Sequence, residues 1–194
     1  MKKLAKIIRG VTVPPVIVTV LLLLLYFLRN DVVTSVADLL FSVFFLAVVP
    51  VLAYPLQGIV PALRPGGQKM KRKLAFILSI MGYIAAFAVS LIRGAVPNLA
   101  YIDAVYLSSV LVLTLINVLT PWHASGHACS IVGPVALLAC FFGWRAILCG
   151  AVVIALSFWA SVYLKRHTVR EYLLGAISPL LSAALMYFIF LPTF

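Results

Sequence analysis

One histidine and one carboxylate lie four residues apart near the end of the chain. His167 and Glu171 belong to the segment Lys165-Arg166-His167-Thr168-Val169-Arg170-Glu171. On a helix, side chains at i and i+4 share one face, with Cβ atoms about 6 Å apart. A carboxylate there holds an imidazole in one tautomer and stabilises its protonated form, which suits a nucleophilic or general-base histidine. The alternative interpretation is an ion pair that caps the last helix.

A second element, Trp122-His123-Ala124-Ser125-Gly126-His127-Ala128, directly precedes an apolar run. Ser125 is a natural N-cap, Gly126 lets backbone approach a ligand closely, and the free N–H groups of a helix start favour an anion. His127 would then stand beside a bound phosphate, placed to protonate a leaving oxygen. The alternatives are a capped helix start with an interfacial histidine, or half of a metal site in which His167 or Glu171 completes the pair His123 and His127.

The third element is a basic loop that runs from Arg64 to Lys73. Arg64 precedes a proline at the end of an apolar run, and a guanidinium can make bidentate contacts to phosphate. For Lys69, Lys71 and Lys73 the better interpretation is a positive anchor at the cytoplasmic membrane surface.

Composition indicates which elements must position these residues. Of the 194 residues, 65% are hydrophobic and 10% are charged, whereas a soluble domain carries about 25% charged residues. A bilayer core about 30 Å thick needs roughly 20 apolar residues per span. We therefore expect an all-α polytopic membrane helix bundle, one domain over residues 1–194, with six to seven transmembrane helices. The apolar runs are 11–28, 36–56, 74–92, 101–120, 128–142, 147–164 and 172–191.

Seven spans place the N-terminus, all three histidines and Glu171 on one membrane face. That face also carries twelve of the fifteen Lys and Arg residues, so the positive-inside rule predicts that it is cytoplasmic in a cell inner or plasma membrane. The net charge of +11 does not indicate nucleic acid, because the basic residues form short runs between apolar stretches. We expect lipid headgroups as partners instead. The basic N-terminus resembles a secretory signal, but its long apolar run predicts a retained first helix.

The order of these three elements resembles the signatures of the type 2 phosphatidic acid phosphatase superfamily of membrane lipid phosphatases, in a divergent bacterial form. The family's signatures are written K-x6-R-P, P-S-G-H and S-R-x5-H-x3-D. The corresponding residues here run from 57 to 171 and read Gln57-x6-Arg64-Pro65, Ala124-Ser125-Gly126-His127 and Ala160-Ser161-x5-His167-x3-Glu171.

The resemblance implies hydrolysis of a phosphomonoester or pyrophosphate of a lipid, such as a phosphatidate, a phosphatidylglycerol phosphate or a polyprenyl phosphate. It implies that His167 attacks phosphorus, Glu171 orients His167 and His127 protonates the leaving group. It also implies that Arg64 and the backbone of Ser125 and Gly126 hold the phosphoryl oxygens, with no metal or other cofactor.

This chain departs from the signatures at three positions. Gln57 replaces the signature lysine, Ser161 the arginine and Glu171 the aspartate. Losing one donor to the developing charge costs about 2.7 to 4 kcal/mol in the transition state. Nearby cations are candidates to replace the missing ones, among them Lys69, Lys71, Arg72, Lys165, Arg166 and Arg170. The alternative is a catalytically impaired relative that binds or transports lipid phosphates.

Overall fold

The computed structural model describes residues 1–190 and 192, apart from the side chain of Lys69, and within them it contains helices and turns but no strand. This confirms the expected all-α helix bundle. A π-helical turn, Phe44–Val48, separates α3 from α4, and a 3-10 turn, Pro61–Gly66, precedes α6. The helices are α1 (Lys2–Val11), α2 (Pro14–Leu28), α3 (Val36–Val43), α4 (Val49–Val51), α5 (Ala53–Ile59), α6 (Gly67–Ile92), α7 (Pro97–Leu119), α8 (Gly126–Phe142), α9 (Trp144–Tyr163) and α10 (Val169–Phe190). The predicted last residue of the final run, Leu191, lies outside the described residues.

The N-terminal run differs from its prediction. The basic segment before residue 11 is itself the amphipathic helix α1, which meets α2 at a bend of 50°. Pro14 and Pro15 occupy the first turn of α2 and do not kink its middle, because the missing proline N–H groups have no acceptor there in any helix. Ala5 of α1 is fully buried, and α1 packs against α9.

The second run is helical from Val36 to Ile59 but is not straight. Pro50 cannot donate a backbone hydrogen bond, and the π-helical turn directly before α4 widens the helix at that point. A further bend of 43° separates α4 from α5. The segment around Pro50 is therefore a widened turn followed by a bend.

Four helices of the described chain are long and apolar enough to cross a membrane: Met70–Ile92, Pro97–Leu119, Trp144–Tyr163 and Val169–Phe190. Each of the two bent segments, Lys2–Leu28 and Val36–Ile59, can form one more span, which gives up to six. Helix α8 has 17 residues and is apolar but shorter. At 1.5 Å per residue it is about 26 Å long, slightly less than a hydrocarbon core of about 30 Å.

The core lies where α2, α7 and α8 meet. Helix α10 packs mainly against α7 and α8, and α9 packs against α8. Fully or almost fully buried side chains at the centre are Leu21, Leu25, Tyr101, Ile102 and Leu137. Large apolar side chains on the outer surface are exposed, as with Ile92 at 85% and Phe188 at 76%. Water would penalise such a surface, whereas lipid chains would not.

Two contacts show that α2 and α8 run side by side in the same direction. Thr12, just before α2, contacts His127 at the start of α8, and Arg29, just after α2, donates to the carbonyl of Phe141 at the end of α8. Asp31 pairs with Arg29 at 2.7 Å at this second end. The candidate histidines and Asp31 therefore lie at opposite ends of the bundle.

Candidate functional site

The end of α9 sets the position of His167. Lys165 has a φ of +52°, its N–H donates to the Val162 carbonyl at 2.9 Å, and the N–H of Arg166 donates to the Ser161 carbonyl at 3.0 Å. This pair of bonds is a Schellman motif, which usually has glycine at the left-handed position. The motif ends α9 and turns the chain, so that His167 lies in the short loop before α10.

Glu171 joins that loop to the start of α10. Its Oε2 accepts from the N–H of Thr168 at 2.9 Å, and the Thr168 hydroxyl accepts from the N–H of Glu171 at 3.2 Å. This reciprocal arrangement is a capping box. The same Oε2 lies 3.4 Å from Nδ1 of His167. Glu171 therefore caps the helix and also faces the histidine, which combines the two interpretations that the sequence left open.

The loop that contains Ser125 is hydrogen-bonded to the start of α10. The Ser125 hydroxyl accepts from the N–H of Ala128 at 3.2 Å, as expected of an N-cap, and the N–H of Ser125 donates to the carbonyl of Glu171 at 2.8 Å. A Cβ added to Gly175 of α10 would lie 2.2 Å from the carbonyl oxygen of Ser125. Glycine at position 175 thus lets the start of α8 approach α10.

This attachment corrects one expected role. The backbone N–H of fully buried Ser125 is already bonded to Glu171, so it cannot also hold a phosphoryl oxygen. The N–H groups of Gly126 and His127 begin α8 and have no acceptor within the helix. They are the donors that this helix start can present to an anion.

His127 is partly buried, and its Nε2 lies 3.4 Å from the Thr12 hydroxyl. Burial lowers the pKa of His127 to about 3, and the positive charge of Arg9 and the interaction with His167 lower it further. The pKa of His167 is also lowered, first by burial and then by Arg9, against the opposing effect of Glu171. Both imidazoles are therefore predominantly uncharged near neutral pH. The hydrogen bond from the Ser125 N–H to the Glu171 carbonyl sets the start of α8 against the start of α10, so His127 lies near the pair His167 and Glu171.

Arg9 also belongs to this cluster of two histidines and a carboxylate, although the sequence pattern around it indicates only a basic N-terminus. Its Nη1 donates to the hydroxyl of Ser161 at 2.9 Å. Its guanidinium acts electrostatically on His127 and His167, and Arg72 and Arg166 lie close enough to repel it. The basic amphipathic pattern of residues 2–11 predicts helix α1, but it does not predict that α1 packs against α9. Among the candidate cations of the 165–170 loop, Arg166 acts electrostatically on Arg9.

Arg64 and Gln57 lie at the 3-10 turn before α6. The Nε2 of buried Gln57 donates to the carbonyls of Leu63 and Gly67, at 3.3 and 2.7 Å, and so holds the 3-10 turn. Exposed Arg64 donates from Nε to the Gly58 carbonyl at 2.9 Å. Both residues line an open groove with Lys71, whereas Arg9 and Arg72 are the arginines that act on the histidines. Gln57 is therefore a structural residue here, and the phosphate-binding role of Arg64 stays a prediction.

The remaining candidates have other surroundings. Ser161 is fully buried and accepts from Arg9, while Arg170 stacks on the Trp122 ring at 4.5 Å. Gly126 is exposed, and a Cβ there would meet only Leu113, at 3.8 Å. The side chain of Lys69 lies outside the described part of the chain. In that part, no group of three His, Cys, Asp or Glu residues has the arrangement of a metal site, so the pair His123 and His127 finds no third ligand there.

The helices and their apolar outer surfaces define an all-α integral membrane protein with a polar cluster at one end of the bundle. No protein-family model, curated protein or solved structure matches the chain. Its function must therefore be inferred from the chemistry of the cluster.

Proposed function

We propose that the protein is a membrane lipid-phosphate phosphatase that works through a phosphohistidine intermediate. The observation that carries the proposal is the convergence of His127, His167, Glu171 and Arg9 at the ends of four helices. An uncharged histidine next to a carboxylate, a second histidine and a guanidinium are the groups that phosphoryl transfer to nitrogen requires.

The geometry around His167 supports a role as nucleophile. Its Nδ1 faces Glu171, so the tautomer with the proton on Nδ1 leaves a lone pair on Nε2. Nε2 attacks phosphorus, the bond from phosphorus to the lipid oxygen breaks, and the electron pair leaves with that oxygen. His127 protonates the leaving oxygen and then, as a base, takes a proton from water. The water oxygen attacks phosphorus, which releases inorganic phosphate and restores His167.

The surroundings favour a lipid substrate. The cluster lies at the ends of helices whose outer surfaces are apolar, so a long acyl or polyprenyl tail can remain in the membrane while its phosphate reaches the histidines. A phosphatidate, a phosphatidylglycerol phosphate, or a polyprenyl phosphate or pyrophosphate meets this description. The basic residues near the cluster support a cytoplasmic site. A reporter inserted in the Gly66-Gly67 turn tests this topology, and we expect it inside the cell.

The test is phosphate release by protein purified in detergent, measured on a panel of lipid phosphates with and without EDTA. We expect release that survives EDTA and is abolished in His167→Ala. His123→Ala is the matched control, because His123 is exposed on the neighbouring loop outside the cluster. Wild-type release in His167→Ala would refute the phosphohistidine mechanism.

The second candidate function is non-catalytic binding or transport of lipid phosphates. It is favoured by the burial of His127, which lowers the pKa of this histidine to about 3 and leaves it without a proton to donate near neutral pH. In that case the wild type and His167→Ala would both bind lipid phosphate, and neither would release phosphate.

A further inference from the structure

Arg9 is a partly buried cation with few protein partners. A guanidinium has five N–H donors, and the structure pairs one of them, on Nη1, with the Ser161 hydroxyl. None of the ion pairs within residues 1–190 and 192 includes Arg9. Because a charge withdrawn from water is costly unless it is paired, Arg9 needs an anion that this part of the chain does not supply.

The neighbours of Arg9 increase that need. Arg72 and Arg166 carry the same charge and repel it, while the nearby imidazoles are uncharged. Glu171, the carboxylate of the cluster, is bonded to the N–H of Thr168 and faces His167. The site therefore holds an excess of positive charge directed at the two histidines.

The fold holds Arg9 in this position. Ala5, one turn earlier in α1, is fully buried, and α1 packs on α9, the helix that carries Ser161. Thr12, three residues after Arg9, donates to the Ile8 carbonyl at 2.9 Å and contacts His127. Lys2, Lys3 and Lys6 of the same helix are exposed. Arg9 alone among the basic residues of α1 is directed at the histidines.

We propose that Arg9 binds the phosphate group of the substrate, with Arg72 and Arg166 strengthening the attraction at longer range. Ser161 stands where the resembled signature has an arginine, and Arg9 brings a guanidinium to that point from another helix. The inference rests on the proposed function for the chemical class of the ligand, a lipid phosphate monoester. The binding of a phosphate dianion by Arg9 itself does not depend on whether the protein hydrolyses it.

The experiment compares four full-length variants in detergent. Arg9→Gln keeps a donor for the Ser161 hydroxyl but removes the charge, and Arg9→Lys keeps the charge without the planar fork. Ser161→Ala removes the hydrogen bond but keeps the guanidinium. Lys6→Gln removes one exposed positive charge from the same helix and is the matched control. Each variant is assayed for kcat and KM with dioctanoyl phosphatidate and for binding of that lipid and of inorganic phosphate by calorimetry.

We expect Arg9→Gln to lower kcat/KM by about 100-fold and to weaken binding of both inorganic phosphate and phosphatidate. Arg9→Lys should be intermediate, Ser161→Ala should lose less than about 10-fold, and Lys6→Gln should stay within about twofold of wild type. Loss of phosphatidate binding alone would place Arg9 against the glycerol or acyl part of the lipid and would overturn the phosphate assignment.

Two further outcomes separate this inference from the proposed function. If Arg9→Gln matches Lys6→Gln in kcat, KM and binding while the wild type releases phosphate, the role of Arg9 is wrong and the phosphatase stands. If the wild type releases no phosphate from any lipid but Arg9→Gln loses phosphate binding that Lys6→Gln keeps, the phosphatase is wrong and Arg9 stands. Equal effects of Arg9→Gln and Ser161→Ala would reduce Arg9 to a packing residue.

Discussion

Replacing Glu171 with glutamine separates the two contacts that this side chain makes. Glutamine supports a capping box as glutamate does, so the N–H of Thr168 keeps its acceptor and α10 its first turn. The substitution removes the negative charge 3.4 Å from Nδ1 of His167. We therefore expect Glu171→Gln to fold as the wild type does and to lose turnover.

The size of the loss follows from the distance and the exposure. Two unit charges 3.4 Å apart attract by about 5 kcal/mol at an effective dielectric constant of about 20. The side chains of His167 and Glu171 are 20% and 27% exposed, and water roughly halves the interaction. A remaining 2 to 3 kcal/mol in the transition state, where His167 becomes positively charged, corresponds to a fall in kcat of about 30- to 160-fold.

The assay measures inorganic phosphate release at saturating lipid phosphate, together with thermal unfolding in detergent. Glu171→Ala is the companion variant, because it removes the charge and the acceptor of the capping box and should also lower stability by about 1 kcal/mol. Asp31→Asn removes a carboxylate from the opposite end of the bundle and should not alter turnover. Wild-type kcat in Glu171→Gln, or equal losses of stability in the Gln and Ala variants, would refute this account.

Three further predictions concern the loops and the pH dependence. Gly126→Ala should fold normally, since its Cβ would meet only Leu113 at 3.8 Å, but it should weaken phosphate binding measured by calorimetry. Gly175→Ala should instead lower the melting temperature, because its Cβ would clash with a backbone oxygen at 2.2 Å. Equal melting temperatures for the two variants would contradict this account. Lys165→Gly should relieve the strain of the φ of +52°, which would stabilise the fold by up to about 1 kcal/mol and raise the melting temperature. A simultaneous loss of turnover would assign Lys165 to the phosphate site. In the unfolded chain His127 binds a proton below pH 6.5, whereas in the folded protein it does so only near its pKa of about 3. The free energy of unfolding should therefore fall as the pH drops from 6.5 towards 3, by at most about 1.4 kcal/mol per pH unit. His127→Asn should reduce the pH dependence of the melting temperature measured between pH 7.5 and 5.

The residues of the site that the sequence predicted share one property, which is that their geometry is local. The pair His167 and Glu171 is set by four residues of helix and one capping box, and Ser125 before His127 by an N-cap. Such signals are present in the chain itself. The bundle was predictable for a similar reason, because every apolar run is mainly helical over the residues that the structure describes.

The residue of the cluster that was missed depends on packing between distant elements. Arg9 and Ser161 are 152 residues apart in the chain, and they meet only because α1 folds back against α9. Arg64 matches the spacing of a signature and donates locally to the Gly58 carbonyl, and its phosphate-binding role stays a prediction. The number of spans was uncertain because α8 is short and two segments bend. Local sequence pattern does not encode these contacts.

The charges around His127 indicate how the proposed acid and base chemistry would be timed. Burial, with a smaller effect of Arg9, lowers the pKa of His127 to about 3, so the ring is neutral. A phosphate dianion about 5 Å from the ring would attract an imidazolium by about 6 to 7 kcal/mol at an effective dielectric constant of about 20. That energy is sufficient to return the pKa of His127 to the neutral range. In the proposed phosphatase, binding of the substrate phosphate would therefore let His127 take up the proton that it donates to the leaving oxygen.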